Sequence, residues 1–153
     1  MTHLEGSILV DSPRWSVWEV MTDPSYLPKL YMDAITVELD PPGRVVLGQK
    51  CKILGKIGNI RVEVPIQFTR VDKEACLASK SIPGGLFTIW DQTINIRANG
   101  LRTNAQASFE YELSPAYAPK VADAETMARV VSDNLLGYLP RLKEICELLS
   151  MPR

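Results

Sequence analysis

The chain has 153 residues, of which 46% are hydrophobic and 23% are charged, and its formal net charge at pH 7 is −1. This size and composition suit one globular domain, so we treat 1–153 as a single domain with a substantial core. Lys and Arg are scattered rather than clustered, which argues against a nucleic-acid-binding surface. No apolar run is long enough to span a bilayer, which argues against a membrane protein.

The cysteines indicate the cellular compartment. Cys51, Cys76 and Cys146 are far apart in the sequence and have no CxxC spacing. An odd, dispersed set favours reduced thiols in a cytoplasmic protein over a disulfide framework. The N-terminus has no basic region followed by an apolar stretch, so we expect no signal peptide.

The first third of the chain predicts a strand, two short helices and a second strand. Alternating apolar residues predict the first strand over 4–10. Ser12 as N-cap and Pro13 at the first helical position predict a helix that ends before Asp23–Pro24, where a single-turn helix follows. The second strand is predicted from Ile35, Val37 and Leu39.

Gly58–Asn59 is a two-residue turn signal that predicts a β-hairpin. Pairing outward from this turn brings the apolar faces of both strands together, as a real hairpin requires. The predicted pairs are Ile57 with Ile60, Ile53 with Val64, Cys51 with Ile66, and Gln49 with Phe68. Pro65 falls opposite Lys52, and because proline donates no hydrogen bond we expect a bulge or a locally open edge beside it.

Asn99–Gly100 predicts a second hairpin in the same way. One face of this hairpin is largely apolar and the other largely polar, as in a sheet covered on one side. The predicted pairs are Ile96 with Thr103, Ile94 with Ala105, Gln92 with Ala107, Trp90 with Phe109, and Thr88 with Tyr111. Phe87 and Ile89 fall on the outer face in this register.

The segment 121–149 is the one long stretch with helical periodicity. Asp123 is its expected N-cap, and Ser150 with Pro152 marks its end. Gly137 and Pro140 weaken the helix internally, which indicates either a hinge or a fixed kink, and we favour the fixed kink. The predicted buried stripe consists of Met127, Val131, Leu135, Tyr138, Leu142, Ile145 and Leu149.

The resulting order is one strand, two short helices, about six strands and a long helix. The local sequences 6–13, 17–21, 23–29, 134–136 and 140–143 make the chain resemble the START-related superfamily, also called polyketide-cyclase-like (SRPBCC) or the birch-pollen-allergen fold. The resemblance implies an α+β helix-grip fold, in which a curved antiparallel sheet of about six to seven strands surrounds the long C-terminal helix, with two short helices after the first strand.

The same resemblance implies a cavity between sheet and helix for lipids, sterols, polyketides or other small apolar molecules. One departure affects the lining of a pocket entrance, because relatives often have tryptophan after Pro28–Lys29 and this chain has Leu30–Tyr31. The stretch 4–7 also resembles accessory proteins of carbon monoxide dehydrogenase.

The predicted registers and helix face define the candidate ligand-binding residues. Apolar walls with a few polar groups are typical of a small-molecule pocket, and the alternative is a packed core with internal partners. The candidates are Gln49, Cys51, Phe68, Thr88, Trp90, Gln92, Phe109, Tyr111, Leu135, Tyr138 and Leu142, with Asn134 as a further possibility on the helix.

Catalytic chemistry finds little support in the sequence. The single histidine, His3, is near the terminus, and no residues have the spacing of a nucleophile–base pair or of metal ligands. We therefore predict no catalytic residue, no metal and no cofactor.

Three functions follow in order of preference. The first is a binding or carrier protein for a small, largely apolar molecule (a lipid, polyketide or aromatic compound), the second a polyketide cyclase or dehydratase, and the third an accessory module that binds a protein partner or forms a homodimer. The cyclase or dehydratase function predicts that the side chains of Tyr111 and Gln92 converge in an open cavity. A dry, close-packed inner face would count against both ligand functions, and an exposed patch around Phe87 and Ile89 would favour the accessory module.

Overall fold

The computed structural model describes residues 1–31, 34–57, 60–116 and 124–150. After β1 (Thr2–Val10) come α1 (Arg14–Thr22), a 3-10 turn (Pro24–Tyr26) and α2 (Leu27–Leu30). The remaining strands are β2 (Thr36–Asp40), β3 (Lys50–Ile57), β4 (Ile60–Asp72), β5 (Cys76–Ser81), β6 (Phe87–Asn99) and β7 (Arg102–Leu113). The described chain ends with α3 (Ala124–Leu136) and α4 (Tyr138–Leu149).

The strands form one curved antiparallel sheet in the order β1-β7-β6-β5-β4-β3-β2. The last two helices lie along its inner face, with α4 against β1 and β7 and α3 against β1. The short helices after β1 pack against α4. The predicted α+β helix-grip architecture, with seven strands, is confirmed.

The β3–β4 hairpin has the predicted register, with Ile53 opposite Val64 and Cys51 opposite Ile66. Its turn signal, Gly58–Asn59, lies outside the described residues. Pro65 is opposite Lys52 as predicted, and the ladder between β4 and β5 stops at the adjacent pair Ile66–Ser81.

Beyond this pair the loop after β5 covers the edge, since the Ile82 N–H donates to Pro65 O at 2.9 Å and the Leu86 N–H donates to Glu63 O at 2.8 Å. A Cβ atom added at Gly85 would lie 2.2 Å from Pro65 Cδ and 2.6 Å from Glu63 O. Only glycine fits so close to the neighbouring strand. The bulge in this ladder falls further along β4, between Phe68 and Arg70.

The β6–β7 register differs from the prediction by two residues. Asn99 pairs with Arg102, so the turn residues are Gly100 and Leu101, and Gly100 has a positive φ of 62°. The observed pairs are Ile96 with Ala105, Ile94 with Ala107, Gln92 with Phe109, and Trp90 with Tyr111. A shift of two residues preserves the faces of a strand, so the inner residues remain inner.

A bulge at the start of β6 overturns two predictions. Between Phe87 and Ile89 the register shifts by one residue, because Phe87 pairs with Leu113 and Ile89 with Glu112. Thr88 is exposed, so its predicted place on the inner face is wrong. Phe87 is buried at 3% exposure, so the predicted outer apolar patch around it is absent. An extra residue in one strand reverses the direction of the side chains beyond it.

Ser12 does not cap α1 as predicted. Pro13 occupies the N-cap position without a side-chain hydrogen bond, and the helix begins at Arg14. The Ser12 hydroxyl instead donates to Cys146 O at the end of α4, at 3.1 Å. The second strand also begins later than predicted, since Ile35 precedes β2 and is 53% exposed.

The predicted long helix is interrupted at Gly137, which separates α3 from α4. The Gly137 N–H donates to Asp133 O at 3.0 Å and the Arg141 N–H to Gly137 O at 3.2 Å, so helical bonding continues on both sides. Pro140 has no N–H for Leu136 O, which removes one bond at the break. The expected cap Asp123 and the expected stop Pro152 lie outside the described residues.

Candidate ligand site between the last helices and the sheet

The structure buries almost the whole predicted site set. Every candidate except Thr88 is 3% exposed or less. The β-strand members lie on the inner face because of the registers described above, and the helix members lie on the face turned toward it. The buried set is Gln49, Cys51, Phe68, Trp90, Gln92, Phe109, Tyr111, Leu135, Tyr138 and Leu142.

Aromatic rings form a connected cluster across this interface. Tyr31, which follows α2, lies with its ring centroid 5.5 Å from that of Tyr138 and 6.4 Å from that of Trp90. Trp90 continues the cluster to Phe87 at 5.1 Å and to Phe109 at 6.3 Å. Tilted and edge-on ring contacts of this kind stabilise a core beyond their buried area.

A buried chain of hydrogen bonds fixes the side chain of Gln92. The Trp90 indole N–H donates to Ser79 Oγ at 3.1 Å, and Ser79 Oγ donates to Gln92 Oε1 at 3.3 Å. The Tyr31 hydroxyl donates to the same Oε1 at 3.4 Å. Because both donors use the carbonyl oxygen, the Gln92 amide nitrogen is left without a partner.

Two polar atoms at this interface are buried without a hydrogen-bond partner, Gln92 Nε2 and Tyr138 Oη. Burial is the main cause that raises the pKa of the Tyr138 hydroxyl far above its ordinary value, so the hydroxyl keeps its proton and remains a donor. An unsatisfied buried donor costs roughly 1–3 kcal/mol, and such groups in a native structure require an explanation.

Both unpaired atoms belong to residues that line one gap between sheet and helix. The gap encloses about 160 Å³ of empty space, and nowhere is it wide enough to hold a water molecule. The lining residues are Leu30, Tyr31, Trp90, Gln92, Phe109, Asn134, Leu135 and Tyr138. In the described part of the chain the interface is therefore nearly closed.

The other predicted site residues are used elsewhere. Gln49 holds the loop before β3, since its Nε2 donates to Pro41 O at 2.7 Å and its Oε1 accepts from the Val46 N–H at 3.3 Å. The Tyr111 hydroxyl is bonded to Ser132 Oγ at 3.0 Å. Phe68, Cys51 and Leu142 are buried away from the gap.

Sequence reasoning missed Leu30, Tyr31 and Ser79. The departure at Leu30–Tyr31 was a usable signal, because it marked the position at a pocket entrance. Ser79 had no such signal, since the four residues Cys76–Ser79 are all buried and show no alternation. Asn134, named as a further possibility on the helix, does line the gap.

Within the described ranges, the chain has no cluster of His, Cys, Asp and Glu suited to a metal ion. The cysteines are free, and burial raises the pKa of both Cys51 and Cys146 to about 12, so neither thiol is a nucleophile at neutral pH. None of the described helices combines the length and apolar character needed to cross a membrane.

A larger groove, of about 560 Å³, lies on the outer face of the sheet. Its lining includes Ser7, Asn95, Arg97, Asn104 and Gln106, all of them exposed. The groove is a solvated polar surface, and it contains none of the unpaired buried atoms.

Comparison with known proteins establishes the fold. No protein-family profile matches the chain, and no curated protein sequence matches it. Among solved structures, the Zhui aromatase/cyclase from Streptomyces sp. R1128 matches with a TM-score of 0.76 at 15% identity, over 95% of this chain and 93% of that one. A START superfamily protein from Mycobacterium smegmatis matches with a TM-score of 0.73 at 13% identity, over 97% and 99%.

Norcoclaurine synthase from Thalictrum flavum, solved with dopamine and hydroxybenzaldehyde, matches with a TM-score of 0.69 at 18% identity, over 99% of this chain and 89% of that one. At such identities the likeness shows the fold and no more. The fold implied by the START-related resemblance is thereby confirmed.

Proposed function

We propose that this protein, as a single domain over 1–153, binds a small, largely apolar molecule between the sheet and the last helices. The observation that carries the proposal is the pair of unpaired buried donors, Gln92 Nε2 and Tyr138 Oη, on residues that line the same aromatic gap. In a closed core these unpaired donors only lower the stability of the fold, whereas a ligand with a polar group would accept hydrogen bonds from them. Free buried thiols suit a cytoplasmic setting for such a carrier.

The narrowness of the gap counts against both ligand functions as predicted from the sequence, because the inner face is dry and close-packed. A core that had evolved only to be dry and packed would not leave two donors unsatisfied, because each could be replaced by an apolar side chain of similar shape. The two facts together favour a site that is closed when empty and opens around its ligand. Such opening requires part of the wall to move.

The wall most suited to move is α3. Among its side chains the structure describes Val131 and Leu135 as buried, whereas α4 buries Tyr138, Leu139, Leu142 and Cys146. The helix break at Gly137 separates the two halves. α4 packs against α1, α2, β1 and β7, whereas the described part of α3 packs mainly against β1 and α4, so α3 would lift while α4 stays in place.

The alternatives receive less support. The predicted convergence of Tyr111 and Gln92 for a cyclase or dehydratase is not found, because Tyr111 bonds to Ser132 while Gln92 bonds to Ser79 and Tyr31. The predicted outer patch for an accessory module is lost with the burial of Phe87. We therefore propose binding or carriage as the function.

The test is a titration with N-phenylnaphthylamine, a neutral apolar compound whose fluorescence rises on transfer out of water. The variant Asn134→Trp would fill the rim of the gap with a large ring, since Asn134 is half-buried there. The control Asn95→Trp adds the same ring to the exposed outer face. Native mass spectrometry of the purified wild type would in parallel detect any molecule that it retains.

The proposal expects saturable binding by the wild type and by Asn95→Trp, and a loss of at least about tenfold in affinity for Asn134→Trp, which corresponds to about 1.4 kcal/mol. Absence of binding, together with no retained molecule and no change in melting temperature with lipids and aromatic compounds, would refute it. Equal binding by both variants would refute the location.

A further inference from the structure

A third polar atom is buried without a partner, and it is charged. Besides Gln92 Nε2 and Tyr138 Oη, Arg141 Nη1 has no hydrogen-bond partner among the described residues. An uncompensated charge is costlier to bury than a neutral amide or hydroxyl. The position of this guanidinium therefore needs an explanation of its own.

The guanidinium of Arg141 folds back along the helix to the level of the break. A Cβ atom added at Gly137 would lie 3.2 Å from Arg141 Nη1 and 3.3 Å from Arg141 Cζ. Glycine at this position leaves the space that the guanidinium fills. The absence of a side chain at 137 thus serves to hold the charge close to the helix.

Arg141 lies beside the gap, on the same side of the helix as two of its lining residues, and is not itself one of the lining residues. Arg141 follows Tyr138 by three residues and Asn134 by seven, and such spacings place side chains on one face of a helix. Asn134 and Tyr138 both line the gap. Arg141 is therefore the next residue along this face beyond the wall of the gap.

Other arginines of the described ranges have acidic partners or are exposed to water, whereas Arg141 is half-buried and its Nη1 is shielded from water without a partner. The observed pairs are Arg14 with Glu74, Arg44 with Glu19, Arg70 with Asp72 and Arg102 with Asp11. The remaining described arginines, Arg61, Arg97 and Arg129, are exposed to water. Among the arginines in the described ranges, only Arg141 has a buried side-chain nitrogen that lacks a hydrogen-bond partner.

The three unpaired atoms are all hydrogen-bond donors, and one carries a positive charge. We infer that the ligand carries an anionic acceptor, such as a carboxylate, on an aromatic or apolar body, with Arg141 binding the anion. This inference rests on the proposed function and names the class of its ligand. A carboxylate matches the planar donor fork of a guanidinium, and its oxygens can accept from neutral donors beside it.

The experiment compares naphthoate with naphthamide, which share one ring system and differ in charge. Each is titrated by calorimetry or by protein fluorescence into the wild type, Arg141→Gln, Arg141→Lys and Arg97→Gln. Arg97→Gln removes a positive charge from the exposed outer face and serves as the matched control. Circular dichroism and the melting temperature establish that each variant is folded.

The inference expects the wild type to bind naphthoate at least about tenfold more tightly than naphthamide. Arg141→Gln removes this preference by weakening the binding of naphthoate at least about tenfold more than that of naphthamide, Arg141→Lys retains part of the preference, and Arg97→Gln retains all of it. Equal affinity of the wild type for the acid and the amide overturns the inference, as does a preference that survives in Arg141→Gln.

The outcomes separate this inference from the proposed function. If N-phenylnaphthylamine binds at the gap and naphthoate shows no advantage, the proposed function stands and the anionic ligand is refuted. If none of the three compounds binds, no molecule is retained and no lipid or aromatic compound changes the melting temperature, both are refuted. If Arg141→Gln does not fold, the comparison between wild type and Arg141→Lys still decides, because a rigid two-pronged contact is lost while the charge remains.

Discussion

At the scale of single residues, Tyr138 and Tyr111 form a natural comparison. Each phenol is 2% exposed, but the Tyr111 hydroxyl is bonded to Ser132 while the Tyr138 hydroxyl has no partner. A hydrogen bond therefore offsets the cost of burying the hydroxyl of Tyr111, whereas the cost of burying the hydroxyl of Tyr138 is not offset. Removing each hydroxyl by substitution measures the two costs separately.

We predict that Tyr138→Phe raises the free energy of unfolding by about 1 kcal/mol, because it removes an unsatisfied buried hydroxyl without opening a cavity. Tyr111→Phe should lower it by about 1 kcal/mol, because it breaks a hydrogen bond and orphans the Ser132 hydroxyl. Urea denaturation of both variants measures the two changes. Destabilisation by Tyr138→Phe equal to that of Tyr111→Phe would mean that the hydroxyl has a partner in solution.

The sequence predicts which residues share the inner face, but not which of their polar atoms are satisfied. Gln92 belongs to the predicted set, yet which of its polar atoms is paired depends on Ser79 and Tyr31, which come from other elements of the fold. Thr88 is misplaced by the prediction because a bulge leaves no mark in an alternating pattern. The periodicity of a local sequence does not predict hydrogen-bond partners that come from other elements of the fold.

At the scale of elements, a clasp joins the end of α4 to the turn after β1. Glu147 accepts from the Asp11 N–H at 2.9 Å and from Lys143 Nζ, while Ser12 Oγ donates to Cys146 O. The clasp adds a donor from outside the helix to Cys146 O, which also accepts from the Ser150 N–H at 3.1 Å. It anchors the C-terminal end of α4 to the turn after β1.

We predict that the clasp weakens in acid. The hydrogen bond from Lys143, followed by the bond from the Asp11 N–H, holds the pKa of Glu147 below its usual value of 4.5. A lowered pKa in the folded state means that the stabilisation is complete above about pH 4.5 and is lost as the pH falls through the folded-state value. Glu147→Gln should therefore melt below the wild type at neutral pH and approach it near pH 3.

Asp23, whose pKa is also lowered by hydrogen bonds from Ser25, contributes an acid dependence of its own that both proteins share. The informative quantity is thus the difference in melting temperature between wild type and Glu147→Gln. A difference that stays constant from neutral pH to pH 3 would show that Glu147 is not held in its charged form by the clasp.

We further predict that Gly85→Ala destabilises the fold by about 2 kcal/mol, because its Cβ would overlap Pro65 and the Glu63 carbonyl. Gly55→Ala is the matched control, since a Cβ there meets nothing within 4 Å. The difference in unfolding free energy between the two variants measures the energetic cost of the steric overlap at Gly85 with β4. Equal effects of the two substitutions would contradict the packing of the loop on β4.

The two hairpins show what determines a register. The β3–β4 prediction is confirmed because the apolar faces of both strands coincide in one pairing. In β6–β7 the residues next to the turn, Ala98, Asn99, Leu101 and Arg102, are all exposed. Registers that differ by two residues then bury the same faces, so the pattern does not distinguish them.

At the scale of the whole molecule, the order of elements is enough to predict a sheet that grips a terminal helix. It does not predict whether the space between them is open, because that depends on the fit of side chains from α2, β5, β6, β7 and both last helices. The structure shows a nearly closed interface with unpaired donors, so binding in it requires that the interface opens around the ligand. The proposed function therefore requires that the ligand lies in this gap.

The most direct test of that requirement is the detection of intermolecular nuclear Overhauser effects between unlabelled naphthoate and isotope-labelled protein. We predict contacts from the ligand ring to the ring protons of Trp90 and Tyr138 and to the methyl groups of Leu135. Contacts confined to exposed apolar residues such as Trp15 and Leu101, with none to Trp90 or Tyr138, would contradict the proposed site.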